Sequence, residues 1–457
     1  MLTERPQFLA ALEIVRTLRR RDYLAYFAGG CVRDRLLGRE PKDYDVATSA
    51  EPEVVLEIFP RTFGVGAQFG VVLVAADGDS TLTEVATFRS DGSYSDGRRP
   101  DAVRYTSSAE EDVLRRDFTV NGLLLDPERA LEGGDIRDAV LDFVGGLADL
   151  SAGVIRAIGA AESRFAEDTL RLLRGVRFAA RLDFSIEAGT RAAMAARSRT
   201  LDRVSRERVR DELTRMLTEG RARRAFELLA ETGMLAVVLP EIERMRGVEQ
   251  PAEFHPEGDV WEHTLRLLDQ LAAGCSKTLA WGALLHDAGK PATFHRAPER
   301  IRFDGHVEVG VRIGEEICRR LRFSKDESAQ IAALVANHMR FGDVERMKTS
   351  TLKRFFQLPD FEEHLALHRM DCLAASGRLE HWQFARDRRE SMPAEEVRPT
   401  PLISGRELIA AGYRPGARFK EILRAVEEAQ LEGAIGSEDE AMALVVRLFP
   451  RDEADGD

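Results

Sequence analysis

The chain predicts an α+β protein, with a mixed-sheet head followed by an all-helical remainder. Three observations point there. Short apolar runs rich in β-branched residues, such as Gly70-Val71-Val72-Leu73-Val74, are confined to the first third. From about residue 160 onward the apolar spacing is helical almost throughout. Prolines then punctuate the helical stretch, first Pro240, Pro251 and Pro256, later Pro393, Pro399 and Pro401.

Taken in order, residues 7–22 read as an amphipathic helix, and Gly29-Gly30 form a turn after it. Residues 43–48, 70–76 and 80–88 read as strands of a mixed sheet of about five strands. The polar run 90–101 (SDGSYSDGRRPD) reads as a loop. The expected domains are a head over 1–150, a helical neck and body over 151–250, a further helical domain over 251–392 and a helical tail over 393–457.

The bulk properties set bounds. A chain of 457 residues holds about two to four domains, and 44% hydrophobic content supports proper cores. Cys31, Cys275, Cys318 and Cys372 are far apart and form no CxxC pair, which reads as reduced thiols. No apolar run approaches membrane-spanning length and the amino terminus has no apolar core region, so a cytoplasmic protein with no membrane partner is expected. The net charge is −12, yet every cation from Arg164 to Arg224 is an arginine. Local field, not net charge, decides where a polyanion lands.

The most informative stretch runs from Ala28-Gly29-Gly30-Cys31-Val32-Arg33 to Pro41-Lys42-Asp43-Tyr44-Asp45. A glycine pair before a helix start lets backbone N–H groups approach a phosphate. Arg33 sits where a guanidinium could grip it. Asp43 and Asp45, two apart, place both carboxylates on one face of a strand. Such a pair is either a costly repulsion or a divalent-metal site.

This stretch resembles the signature of the class II tRNA nucleotidyltransferases and bacterial poly(A) polymerases. Two further segments carry the resemblance in the same order. Arg115-Arg116-Asp117-Phe118-Thr119-Val120-Asn121-Gly122 looks like the second motif of that family, with Gly122 where alanine is usual. Glu167-Asp168-Thr169-Leu170-Arg171 through Arg174, Arg177 and Phe178 looks like the nucleotide-selecting helix, expected over 166–182. The resemblance implies a nucleotidyltransferase head in which Asp43 and Asp45 hold Mg²⁺, with Glu84 as a third acid on a neighbouring strand. It also implies that Arg116 contacts the triphosphate, while Asp117 and Asn121 line the ribose or metal site.

Base edges give the selecting helix its chemistry. Cytosine and adenine both present an amino donor beside a ring acceptor, so Asp168 could accept from the first and Arg171 donate to the second. Uracil and guanine present a carbonyl and an N–H there, leaving mismatched partners. Arg174 and Arg177 read as phosphate or base-positioning contacts. In the resembling family a loop placed like Arg89–Arg104, with Asp91, Tyr94, Asp96, Arg98 and Arg99, helps switch selection from CTP to ATP.

A second centre is independent of the first. His263, His286-Asp287 and Asp371 stand in a His…His-Asp…Asp order that resembles an HD-type phosphohydrolase site, suited to a second divalent metal. His306 and His338 extend it. Pro401–Leu408 and the helix 419–431 resemble the tail of HD-bearing relatives, which grips the far part of the acceptor and T arms of tRNA. The resemblance thus implies template-independent addition of CCA to tRNA from CTP and ATP. Its alternatives are A-addition after a separate CC-adding enzyme, a poly(A) polymerase, and an HD phosphohydrolase with a nucleotide-binding head.

Overall fold

The computed structural model describes residues 5–63, 70–75, 81–91, 103–253, 255–256, 258–298 and 300–451. The chain divides into two compact units. One comprises Met1–Glu243 with Ala272–Gly274, the other Arg244–Leu271 with Cys275–Asp457.

The first unit opens with a helix over Pro6–Arg19, begun by the proline whose missing N–H costs nothing there. Its buried stripe (Leu12, Ile14, Val15, Leu18) lies on a sheet. The strands are β1 (Ala25–Ala28), β2 (Asp45–Thr48), β3 (Thr62–Phe63), β4 (Val71–Ala75), β5 (Leu82–Thr87), β6 (Arg89–Asp91), β7 (Val103–Tyr105), β8 (Leu123–Leu125) and β9 (Val140–Asp142). Seven form one sheet in the order β3-β4-β5-β2-β1-β8-β9, while β6 and β7 make a separate antiparallel pair. Within the large sheet only β2 and β5 run parallel, so it is mixed as expected. It exceeds the expected five strands because β3, β8 and β9 are two or three residues long, too short for an alternating pattern to show.

The parallel pair brings two acids together. Val46 faces Val85 across the ladder, which sets Asp45 and Glu84 side by side at the same end of neighbouring strands. Tyr44, between Asp43 and Asp45, is buried, its ring 5.4 Å from Phe8 and 5.2 Å from Phe27. The pleat therefore turns the two acids to the opposite side.

The rest of this unit is helical. The expected helix over 166–182 is two helices, Ala161–Glu167 and Arg171–Leu182. The chain is extended at Asp168 (φ −139°, ψ 104°), whose carboxylate accepts from the Leu170 N–H at 3.0 Å. A local side chain-to-backbone bond thus replaces a helical one. Arg171–Leu182 packs against Arg206–Thr218 and Ala222–Glu231. At Gly175 a Cβ would come 2.7 Å from Met194 Cε and 2.9 Å from Phe118 Cζ, so only glycine lets this helix close on the head.

The second unit holds helices Val260–Leu268, Lys277–Leu285, His306–Arg320, Lys325–Asn337 and Phe361–Ala374, with a short hairpin of His295–Arg296 and Ile301–Arg302 that the helical pattern did not foretell. Its tail helices Gly405–Ala410, Ala417–Leu431 and Glu438–Leu448 share a core of Leu408, Ile422, Val426 and Val445. Among the described residues no helix is long and apolar enough to cross a membrane. Tyr94, Asp96, Arg98 and Arg99 lie outside the described residues.

Candidate functional site

A cleft of about 640 Å³ in the first unit collects the three motifs. Ten cationic and six acidic side chains line it, so it is locally positive in a chain of net charge −12. Gly29, Gly30, Arg33, Asp43, Asp45, Arg116, Asp117, Asn121, Asp168, Arg171, Arg174 and Arg177 all reach it. Glu84 is not part of that lining but stands beside Asp45 on β5.

The glycine turn forms because Gly29 takes a positive φ of 70° where β1 ends and the helix Gly30–Leu36 begins. A Cβ there would sit 3.4 Å from an Arg116 guanidinium nitrogen, so the bare backbone also admits that arginine. Opposite lie the acids, Asp43 exposed and Asp45 half-buried. Burial, then the neighbouring charges of Glu84 and Asp43, push the Asp45 carboxyl up to about 6, against the pull of Arg116. This marks three carboxylates converging without enough positive charge between them. An all-oxygen donor set of this kind fits a hard divalent cation.

The arginines are not equivalent. Asp112, on the helix Ala109–Leu114 and 1% exposed, takes Arg115 Nη2 at 2.5 Å on one oxygen and Arg116 Nη2 at 2.8 Å on the other. Burial pushes the Asp112 carboxyl up, but Arg116 and Arg115 outweigh it and hold it low. Arg115 Nε also donates to the Arg89 carbonyl at 3.0 Å, tying this anchor to the start of β6. Sequence reasoning did not single out Asp112. Its signal was there, as an acid three and four residues before two arginines on one helix face.

A buried chain of hydrogen bonds joins the motifs. Arg33 donates from Nε and Nη2 to Asp34 Oδ1 (2.8 and 2.6 Å) and from Nη1 to Asn121 Oδ1 (2.6 Å). Asn121 Nδ2 donates to Asp117 Oδ1 at 3.1 Å, and Asp117 Oδ2 accepts from Arg174 Nε at 2.8 Å. Burial raises the Asp117 carboxyl, yet Arg174 and the hydrogen bonds bring it down to about 2. Three N–H groups of Arg33 and both ends of the Asn121 amide are thus occupied within the protein. The guanidiniums of Arg33, Arg174 and Arg177 all lie over the Phe178 ring, at 5.3, 5.2 and 4.3 Å.

Arg177, expected as a phosphate or base-positioning contact, lines the cleft and is paired within the protein. Its side chain, 5% exposed, donates to Glu212 Oε2 at 2.7 Å, and that carboxylate from the helix Arg206–Thr218 already neutralises it. Asp168 and Arg171 both line the cleft, joined by the Arg171 N–H donating to the Asp168 carbonyl at 3.0 Å, while their side chains bond elsewhere. Asp168 Oδ2 accepts from Arg208 Nη2 at 2.8 Å. Arg171 donates to Glu167 Oε2 (2.5 Å) and to the carbonyls of Arg164 (3.0 Å) and Arg115 (2.9 Å). Arg208 is a second residue the sequence did not signal, forty positions beyond its partner.

In the second unit the HD residues do meet. His263 Nε2 lies 3.0 Å from Asp371 Oδ1 and 3.3 Å from His286 Nε2, and His286 Nε2 lies 3.2 Å from Asp287 Oδ2. His306 and His338 join the cluster through Asp287. Lys290, unforeseen, sits 2.7 Å from Asp287 and is held by Gln250 at 2.7 Å.

Comparison with known proteins finds three family segments along the chain. Residues 25–156 match the Poly A polymerase head domain, 183–245 the Probable RNA and SrmB-binding site of polymerase A, and 260–376 the HD domain. The chain is 45% identical to a CCA-adding enzyme of Geobacillus thermodenitrificans across 236 residues, 52% of this chain and about half (55%) of that relative. It is 32% identical to a CCA-adding enzyme of Leuconostoc mesenteroides across 456 residues, 99% of both chains. A solved structure of the Bacillus stearothermophilus CCA-adding enzyme in complex with CTP superposes with a TM-score of 0.73 at 29% identity, covering 97% of this chain and 98% of that one. With its head, neck and HD segments matched in order and its full length aligned, the chain belongs to the CCA-adding enzyme family of tRNA nucleotidyltransferases.

Proposed function

We propose that the chain adds C, C and A to the 3′ ends of tRNA from CTP and ATP without a nucleic-acid template, releasing pyrophosphate. One observation carries the reading. A single cleft places a carboxylate wall, an arginine wall and the Asp168–Arg171 pair around one space, in a chain aligned end to end with CCA-adding enzymes. The solved relative bound to CTP supports CTP as one substrate.

Asp43, Asp45 and Glu84 would hold Mg²⁺, which supplies charge neutralisation at the attacking 3′-oxygen and the triphosphate. Arg116, fixed by Asp112, binds the triphosphate. Arg33, Asn121, Asp117 and Arg174 hold the floor and the selecting wall in register and line the ribose. Asp168 accepts from the amino group common to cytosine and adenine, and Arg171 donates to the adjacent ring acceptor. The arginine-rich segment 164–224 meets the tRNA acceptor end, and the tail helices meet the T arm. His263, His286, Asp287 and Asp371 hold a second divalent metal. The free thiols of Cys31, Cys275, Cys318 and Cys372 support a reducing, cytoplasmic site of action.

The test offers the purified protein three labelled tRNAs with CTP and ATP: one lacking the whole CCA end, one carrying the first cytidine, one carrying both. Extension of all three to the full end is expected. Extension of the last alone would make the protein an A-adding enzyme. Loss of all extension in Asp43→Ala and Asp45→Ala, with tRNA still bound, would place the chemistry at the carboxylate wall.

A further inference from the structure

Ten cations line the cleft of the first unit, and seven of them are already committed inside the protein. Each of the seven lies 2.5–2.8 Å from a carboxylate oxygen, as Arg33 does from Asp34 and Arg177 from Glu212. Arg181 is the exception on the helix Arg171–Leu182. Its guanidinium stands 3.5 Å from Asp34 Oδ2 and 3.6 Å from Glu219 Oε2, beyond the reach of a good hydrogen bond, and its side chain is 30% exposed. Arg215, over half exposed, comes no nearer to Glu212 than 3.8 Å.

The acids nearest Arg181 have prior claims on them. Asp34 Oδ1 accepts two Arg33 N–H groups, at 2.8 and 2.6 Å, and Glu219 Oε2 is shared with Arg177 Nη1 at 3.5 Å. Arg33, Arg177, Arg181 and Arg215 thus gather round three carboxylates, Asp34, Glu212 and Glu219, and positive charge is left over. Its effect reaches Arg33: burial lowers that guanidinium, Asp34 opposes the lowering, and the Arg181 charge adds to it. Uncompensated positive charge inside a cleft draws an anion.

The position of Arg181 along its helix identifies that anion. Arg174, Arg177 and Arg181 stand at i, i+3 and i+7, on one face of the helix. Arg181 lies ten residues beyond Arg171, about 15 Å along the axis. A nucleotide with its base at Asp168 and Arg171 and its ribose at Asp117 and Arg174 carries its phosphates toward Arg181. The last phosphate of the chain bears about two negative charges, a tRNA phosphodiester only one. We propose that Arg181 receives the γ-phosphate of the incoming CTP or ATP, and that this contact makes the cleft prefer triphosphates to diphosphates. This rests on the reading of the cleft as the nucleotide site and adds the residue that senses the far end of the nucleotide. The γ-phosphate is held alike before and during transfer, so losing the contact raises KM and leaves kcat little changed.

The experiment measures binding of CTP and of CDP to the full chain with Mg²⁺ by isothermal titration calorimetry, and binding of tRNA by filter retention. The wild type should hold CTP about tenfold more tightly than CDP, the worth of one charge-assisted contact. Arg181→Gln and Arg181→Ala should bring the two affinities together by weakening CTP alone, and Arg181→Lys should restore part of the gap. Circular dichroism on each variant confirms that it is folded. A CTP-to-CDP ratio unchanged in both Arg181→Gln and Arg181→Ala would overturn the proposal, and weaker tRNA binding in the same variants would assign Arg181 to the polynucleotide instead. Equal weakening of CTP and CDP would overturn it too, by making Arg181 a support for Arg33. A wild type that binds no CTP would overturn the nucleotide reading of the cleft, and this contact with it.

Discussion

Asn121 accepts a hydrogen bond from Arg33 at 2.6 Å, and its other end donates to Asp117. One amide, through Asp117, therefore couples the helix after the glycine turn to Arg174 on the helix Arg171–Leu182. Asn121→Ala should leave a buried donor and a buried acceptor each short of a partner, at about 1–3 kcal/mol in unfolding free energy. Nucleotide addition should fall further than stability, because the floor and the selecting wall lose their common reference. Thermal unfolding and kcat/KM for CTP and ATP read both effects. A variant with unchanged melting and turnover would refute the coupling.

Asp112 is the buried anchor of Arg115 and Arg116. Asp112→Ala strands two arginines and should destabilise by about 3–5 kcal/mol. Asp112→Asn keeps the shape and removes the charge. It should raise KM for both triphosphates about tenfold, equivalent to one weakened charge-assisted bond, with a smaller change in kcat. Equal KM values in wild type and Asp112→Asn would show that Arg116 needs no anchor.

Asp168→Ala and Arg171→Ala should relax base selection more than they weaken triphosphate binding. Each lost bond to a charged group is worth about 1.5–3 kcal/mol. UTP and GTP incorporation should rise relative to CTP and ATP. Arg208→Ala should shift the same ratio, since Arg208 holds Asp168 Oδ2 in place. Unaltered misincorporation in all three would remove the pair from base selection.

Asp117 gives the first unit an acid dependence. Its carboxyl lies near 2 in the fold, against about 3.9 in an unfolded chain. A lowered folded value stabilises above the unfolded one, so the contribution, about 2 kcal/mol, is complete above about pH 4. It is lost as pH falls toward 2. Urea unfolding at stepped pH should show this slope, and Asp117→Asn should flatten it. An identical slope in both proteins would assign the acid sensitivity to other groups.

The sequence made legible those residues whose chemistry is local. Asp43 and Asp45 declare a shared face by spacing alone, and Gly29-Gly30 declare a turn. Residues whose role depends on a distant partner stayed silent. Arg177 looked like its neighbours Arg171 and Arg174, and only the packing of Arg206–Thr218 delivers Glu212 to it. The break at Asp168 was hidden because apolar periodicity continues across it, while the competing bond to the Leu170 N–H is one residue's doing. His306 and His338 were read as an extension of the HD set. Their grouping around one oxygen of Asp287 required the fold.

Tyr44 carries a consequence for the amino-terminal helix. Its ring is wedged between Phe8 and Phe27 on the far side of the sheet from the acids it separates. Phe8 thus works as a backstop: the depth to which Tyr44 seats decides how far Asp43 and Asp45 protrude. A smaller side chain at position 8 would let the loop sink and retune the acids' separation without touching the cleft. The first turns of the chain, remote from every motif, thus set the footing of the segment that carries the two acids.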